Sequence, residues 1–165
     1  MKVGEAAYRM VSGGRSLRTE RAASVQGRMS ELERAAGSKT AAARDAGVTL
    51  RTWQRWRAGT QKPRPATLDR LRAAQRRARL PASRERKLRR GTGTLYVDGA
   101  MAISSDVRTR GVSIPGGDLS ERTRDDLVDA FLRGSEEELA AALQEAMSAY
   151  VPGLTIEDVD HIAYS

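Results

Sequence analysis

The chain has 165 residues, no cysteine, one histidine and a formal net charge of +8, a length that suits one ordinary domain or two small ones. The missing cysteines exclude disulfides, thiolate metal sites and a thiol nucleophile, and one histidine excludes a paired-histidine metal site. Charge is unevenly divided: residues 1–92 hold 24 Lys and Arg against 7 Asp and Glu, whereas residues 93–165 hold 5 against 14, so a polyanion-binding half is expected ahead of an acidic half.

The segment VGEAAYRMV predicts a short helix closed by Gly13-Gly14, and the polar SLRTER after it predicts a mobile arm, together residues 1–21. Val25, Met29, Leu32 and Ala36 recur at helical spacing and Gly37 supplies a stop. Ser38 is placed to cap a second helix ended by Gly47, and Thr49 a third, LRTWQRWRA, ended by Gly59. The loop GTQKPRP leads to a fourth helix, about residues 66–79, with Leu68 and Leu71 inward and arginines outward. These elements make an all-α helix-turn-helix domain over residues 22–80, and the charged run that follows reads as a basic linker, 81–94. Over residues 95–165 the period changes. LYVDGAMAI and VRTRGVSI alternate as strands around the turn signal SSD, two helices follow, the second opened by Ser135 and Glu138 as a capping box, and a strand near His161–Tyr164 closes the chain. The expectation is an α+β protein whose second domain runs β-β-α-α-β.

Trp53 and Trp56 lie three residues apart and so share one face of the third helix, which packing against Val48 and alanines turns into the core. Arg51, Gln54, Arg55 and Arg57 are left outward, and arginine and glutamine are the side chains that form bidentate contacts with guanine and adenine edges. With Lys39 and Thr49 before them and Lys62 and Arg64 after, they are the candidate DNA contacts. No apolar leader or spanning run is present, so a cytoplasmic, nucleoid-associated protein is expected.

The run GVTLRTWQRWRAG followed by KPRP resembles the Xre/Cro-type helix-turn-helix. With the arginine-rich KPRPATLDRLRAAQRRARL, the opening VGEAAYRMV and the closing IEDVDHIAYS, it resembles more specifically the terminal proteins that cap linear chromosomes and plasmids of actinomycetes. The resemblance implies a protein primer: a side-chain hydroxyl is esterified to the first nucleotide at the 5′ end. It implies as partners telomeric DNA, a DNA polymerase and a telomere-associated protein, with no intrinsic cofactor or metal, because metal ions and deoxynucleotide come with the polymerase. No glycine-rich phosphate loop follows a strand and no nucleophile–base pair is apparent in the sequence, so autonomous catalysis is not expected. In ISSDVRTRG the resemblance points to Ser104 or Ser105 ahead of Asp106, with Thr109 as a further candidate, and Arg108 and Arg110 stand ready to neutralise triphosphate. Read as residues alone, Ser-Ser-Asp is ordinary turn chemistry. The alternative function is an Xre-type transcriptional regulator whose C-terminal domain dimerises or binds an effector. The stripe Leu139, Leu143, Met147 and Tyr150 is expected as core, with homodimerisation as its other use.

Overall fold

In chain order the protein forms α1 (Val3–Ser12), α2 (Leu17–Ala22), α3 (Val25–Ala36), α4 (Lys39–Asp45), α5 (Leu50–Arg57), α6 (Pro65–Arg79), α7 (Ala82–Arg90), β1 (Thr94–Ile103), β2 (Asp106–Pro115), α8 (Glu121–Arg133), α9 (Glu136–Tyr150) and β3 (Leu154–Tyr164). This computed structural model describes residues 1–165. The chain is α+β, and it divides into two units: a nested one, Thr19–Arg79, and one built from Met1–Arg18 together with Leu80–Ser165. No helix is long and apolar enough to cross a membrane.

The nested unit is all-helical. Its helices start where short polar side chains meet the first unpaired N–H groups: Ser24 accepts from Gly27, Ser38 from Ala41 and Thr49 from Thr52. Its core is small, with Met29, Leu32, Ala42, Ala43, Ala46, Trp53, Trp56 and Leu71 buried. The alanines let the helices approach, and the two indoles, 6.2 Å apart between ring centres and tilted by 44°, are the two largest side chains in it.

Beside this core lies a polar one. Arg28, only 2% exposed, donates to Gln75 Oε1 and to the Glu20 carbonyl, 2.6 Å away. Gln75 and Arg79 both donate to the Glu31 carboxylate, and Arg76 donates to Glu20 at 2.9 Å. These bonds tie α2, α3 and α6 together. The arginines of α6 therefore do not all face outward as expected, because Arg76 and Arg79 neutralise carboxylates that packing removes from water.

The second unit is a three-stranded antiparallel sheet in the order β2-β1-β3, with helices packed on the face that carries Leu95, Val97 and Met101. Its C-terminal part has the expected β-β-α-α-β order. Near the centre, Gly99 pairs with Val159 beside a register shift, and a Cβ there would overlap the Asp158 carbonyl oxygen. Ser135 caps α9 by accepting from Glu138 N–H at 3.2 Å, but the Glu138 carboxylate binds Arg133, so only half of the capping box forms. The stripe on α9 is core as far as Met147, whereas Tyr150 is 44% exposed.

Two expected boundaries are corrected. Residues 1–21 are not a detached helix and arm: Ala6, Ala7, Tyr8, Met10 and Val11 are fully or almost fully buried, and Tyr8 packs on Phe131 with ring centres 4.8 Å apart. SLRTER is mostly α2, held by Leu17 burial and by Glu5, whose carboxylate accepts from the Leu17 N–H at 3.0 Å. Residues 81–94 are not a linker, since α7 anchors Leu88 in the core and packs on α8. The partition of charge changes accordingly. The nested unit holds 15 Lys and Arg against 5 Asp and Glu, and the other unit 14 against 16.

Candidate nucleic-acid interface and hydroxyl hairpin

In the nested unit, α4 and α5 are joined by Ala46-Gly47-Val48, with Gly47 at φ +70°. That left-handed conformation suits glycine and lets the second helix leave at a new angle within three residues. Trp53 and Trp56 face inward at 0% and 3% exposure. Trp53 Nε1 donates to Glu33 Oε1 at 2.8 Å, which fixes α5 against α3. Trp56 Nε1 is buried without an acceptor, and the structure offers no compensation for it.

Arg57, expected as a DNA contact, completes this anchor instead. Its guanidinium donates to Glu33 Oε2 at 2.8 Å, Ser30 Oγ at 3.1 Å and Gln26 Oε1 at 3.2 Å. Burial pushes the Glu33 carboxyl up, but hydrogen bonds from Trp53 and Arg57 outweigh it and hold the group below its ordinary value. Thr49 is also committed locally: its hydroxyl caps α5 through the Thr52 N–H at 3.2 Å and lies 3.0 Å from the Thr52 hydroxyl.

The other candidates remain available. Lys39, Arg51, Arg55, Lys62 and Arg64 are exposed, and none forms a hydrogen bond or close ion pair within the protein. Gln54 is exposed beside them on α5. Leu50, 36% exposed at the first turn of α5, puts an apolar side chain next to these polar ones. One cation was missed from the sequence: Arg70 of α6 lies over the turn, 3.5 Å from the Gly47 carbonyl. Its position in an arginine-rich helix carried no signal separating it from Arg76 and Arg79.

In the other unit, β1 and β2 are joined by the two-residue turn Ser104-Ser105, closed by the pair Ile103 and Asp106. Ser104, at φ +57°, is the one non-glycine residue with positive φ, and Ser105 is not, the φ pattern of a type II′ hairpin turn. A non-glycine residue held at such a sparsely populated φ costs about 1–3 kcal/mol relative to ordinary backbone. Both serines are exposed, and neither hydroxyl has a partner.

Arg108 and Arg110 stand on one face of β2, and both bind Asp106, at 2.8 Å to Oδ1 and 2.9 Å to Oδ2. The cations expected to meet triphosphate are thus already paired, though Arg110 Nε is buried and lacks an acceptor. Thr109 pairs with Ala100 and, by strand alternation, projects from the opposite face to these arginines. The three candidate hydroxyls are therefore not equivalent, and Ser104 and Ser105 are the two at the tip.

The Tyr164 hydroxyl is no substitute for them. It is buried without a partner beside a cavity of about 10 Å³ lined by Leu95, Leu119, Arg124 and Leu127 among others, space for a single water. Burial pushes its pKa up against the pull of Arg124 and Arg84. His161 stacks loosely on Tyr96 at 5.9 Å on the sheet's open face. No family model, curated protein or solved structure matches the chain.

Proposed function

We propose that this chain is a DNA-binding terminal protein that holds the end of a linear replicon through its nested helical unit and offers a serine of the β1–β2 turn as the primer for DNA synthesis. The observation that carries the DNA-binding part is the sorting of cations in the nested unit. Arg76 and Arg79 of α6 and Arg57 of α5 are engaged with carboxylates, whereas Lys39, Arg51, Arg55, Lys62 and Arg64 around α4, α5 and the following loop are left open. Arg51, Gln54 and Arg55 would read base edges, and the lysines and Arg64 would bind phosphates.

In the priming step the serine Oγ attacks the α-phosphorus of a deoxynucleoside triphosphate. The Oγ–P bond forms, pyrophosphate leaves, and the hydroxyl proton passes to a base of the polymerase. The polymerase supplies the metal ions that stabilise the charge. This protein contributes an exposed hydroxyl on a two-residue turn, with Arg108 and Arg110 behind it.

A second reading, an Xre-type regulator, is favoured by one observation: Asp106 already pairs with both Arg108 and Arg110, as in a hairpin that serves only the fold. Incubation with a polymerase-containing extract and labelled deoxynucleotide separates the two. The terminal-protein reading expects covalent label that Ser104→Ala or Ser105→Ala removes while Thr109→Ala retains it. Absence of label from a protein that still binds duplex DNA leaves the regulator.

A further inference from the structure

The five cations of α7 separate into two groups. Arg84 donates to the carbonyls of Met10 and Val11 at 2.5 and 2.9 Å, and Arg89 donates to Glu85, Asp125 and Asp129 at 3.1, 2.7 and 2.7 Å. These two hold the helix in its unit. Arg86, Lys87 and Arg90 are exposed and form neither hydrogen bonds nor ion pairs. At about 100° per residue the three fall within an arc of about 100° on the side away from Leu88, the buried residue of the helix.

Their lack of partners does not reflect a shortage of acids, which outnumber bases 16 to 14 in this unit. The nearest acidic helix is already matched: Arg89 holds Asp125 and Asp129, and Arg122 lies 3.5 Å from Asp126. A helix that neutralises its neighbour's carboxylates with one arginine, while keeping three other cations in water, presents a compact positive face on an otherwise slightly acidic unit.

We propose that this outer face of α7 is a second contact surface for the phosphate backbone of nucleic acid, made by Arg86, Lys87 and Arg90 and independent of α5. Its chemistry is charge neutralisation without base readout, because three flexible cations on one short helix carry no fixed donor–acceptor pattern. An anionic bilayer fits less well: surface-lying helices bury apolar side chains in the membrane, and the one large apolar side chain of α7, Leu88, is in the protein core. The identity of the polyanion rests on the DNA-binding reading above, but the surface itself does not.

The test uses the full chain and a short duplex of arbitrary sequence, with affinity followed by fluorescence anisotropy across a salt series. The combined Arg86→Gln, Lys87→Gln, Arg90→Gln variant is expected to lower the slope of log affinity on log salt by about 2 to 3, since each neutralised phosphate contributes about 0.9. Arg86→Lys with Arg90→Lys, which keeps the charge, is expected to preserve the wild-type slope. A slope unchanged by the triple variant, while Arg51→Ala with Arg55→Ala weakens binding, overturns the α7 surface and leaves α5 standing. The reverse pattern keeps α7 and removes α5. If the triple variant instead loses binding to phosphatidylserine vesicles with its DNA slope intact, the face belongs to a membrane and the proposal falls.

Discussion

The two units reach stability by different routes. The nested unit buries eight apolar side chains, three of them alanine, and adds a polar cluster around Arg28. The core of the sheet-containing unit joins twenty-six, drawn mainly from α1, the sheet, α8 and α9. A small core has few residues among which to distribute its packing, so single side chains matter more there. The large core instead draws on segments from both ends of the chain.

That contrast can be broken most directly at its two aromatic anchors. Trp53→Ala is expected to cost about 3–5 kcal/mol, enough to unfold the nested unit while the other unit persists, and calorimetry should show the loss of one transition. Tyr8→Ala is expected to cost a similar about 3–5 kcal/mol but in the other unit. Both tryptophans lie within Thr19–Arg79, so tryptophan fluorescence should report an unchanged nested unit in Tyr8→Ala. An effect of Tyr8→Ala on the fluorescence transition as large as on the whole protein would contradict the division.

A smaller effect separates two arginines two positions apart. Arg55→Ala is expected to weaken DNA binding by about 1–3 kcal/mol with little change in thermal stability. Arg57→Ala is expected to cost about 1–2 kcal/mol of stability, because Glu33 and its neighbours lose a charged donor. Equal losses of DNA affinity with no loss of stability in either variant would remove the distinction.

The same anchor should respond to acid. The Glu33 carboxyl is held below its ordinary value in the folded protein, so its contribution is full above the unfolded value and declines as pH falls below about 4.3 towards the lower folded value. Glu33→Gln should flatten that part of the stability profile, measured by tryptophan fluorescence in denaturant at successive pH values. The smallest expected change is at the hairpin. Asp106→Asn breaks exposed pairs and should shift stability by no more than about 1 kcal/mol. By releasing Arg108 and Arg110 it should raise nucleotidyl labelling if priming occurs there, and labelling that falls instead would give Asp106 a direct part in the step.

Much of the local structure was legible. The caps Ser38 and Thr49, the glycine turn at 47 and the three-residue spacing of the tryptophans all act within a few residues, and the helix-turn-helix followed from them. The change from helical to alternating period likewise marked β1 and β2 about the Ser104-Ser105 turn. The destination of each cation was not legible. Arg57 and Arg55 sit on the same short helix, yet only Arg57 meets a carboxylate, 24 positions earlier in the chain. Arg89 and Arg86 on α7 differ in the same way, because one is turned towards α8 and the other is not.

By itself, then, the sequence determined the elements and their order, because hydrogen-bonded turns, caps and hydrophobic periods are set by neighbours a few residues away. Only the tertiary structure decided that α1 belongs with residues from 80 onward, that the presumed linker is a packed helix, and which arginines remain open to a polyanion. Those outcomes depend on contacts between segments tens of residues apart. There, burial of one carboxylate draws in one cation and leaves its neighbour in water.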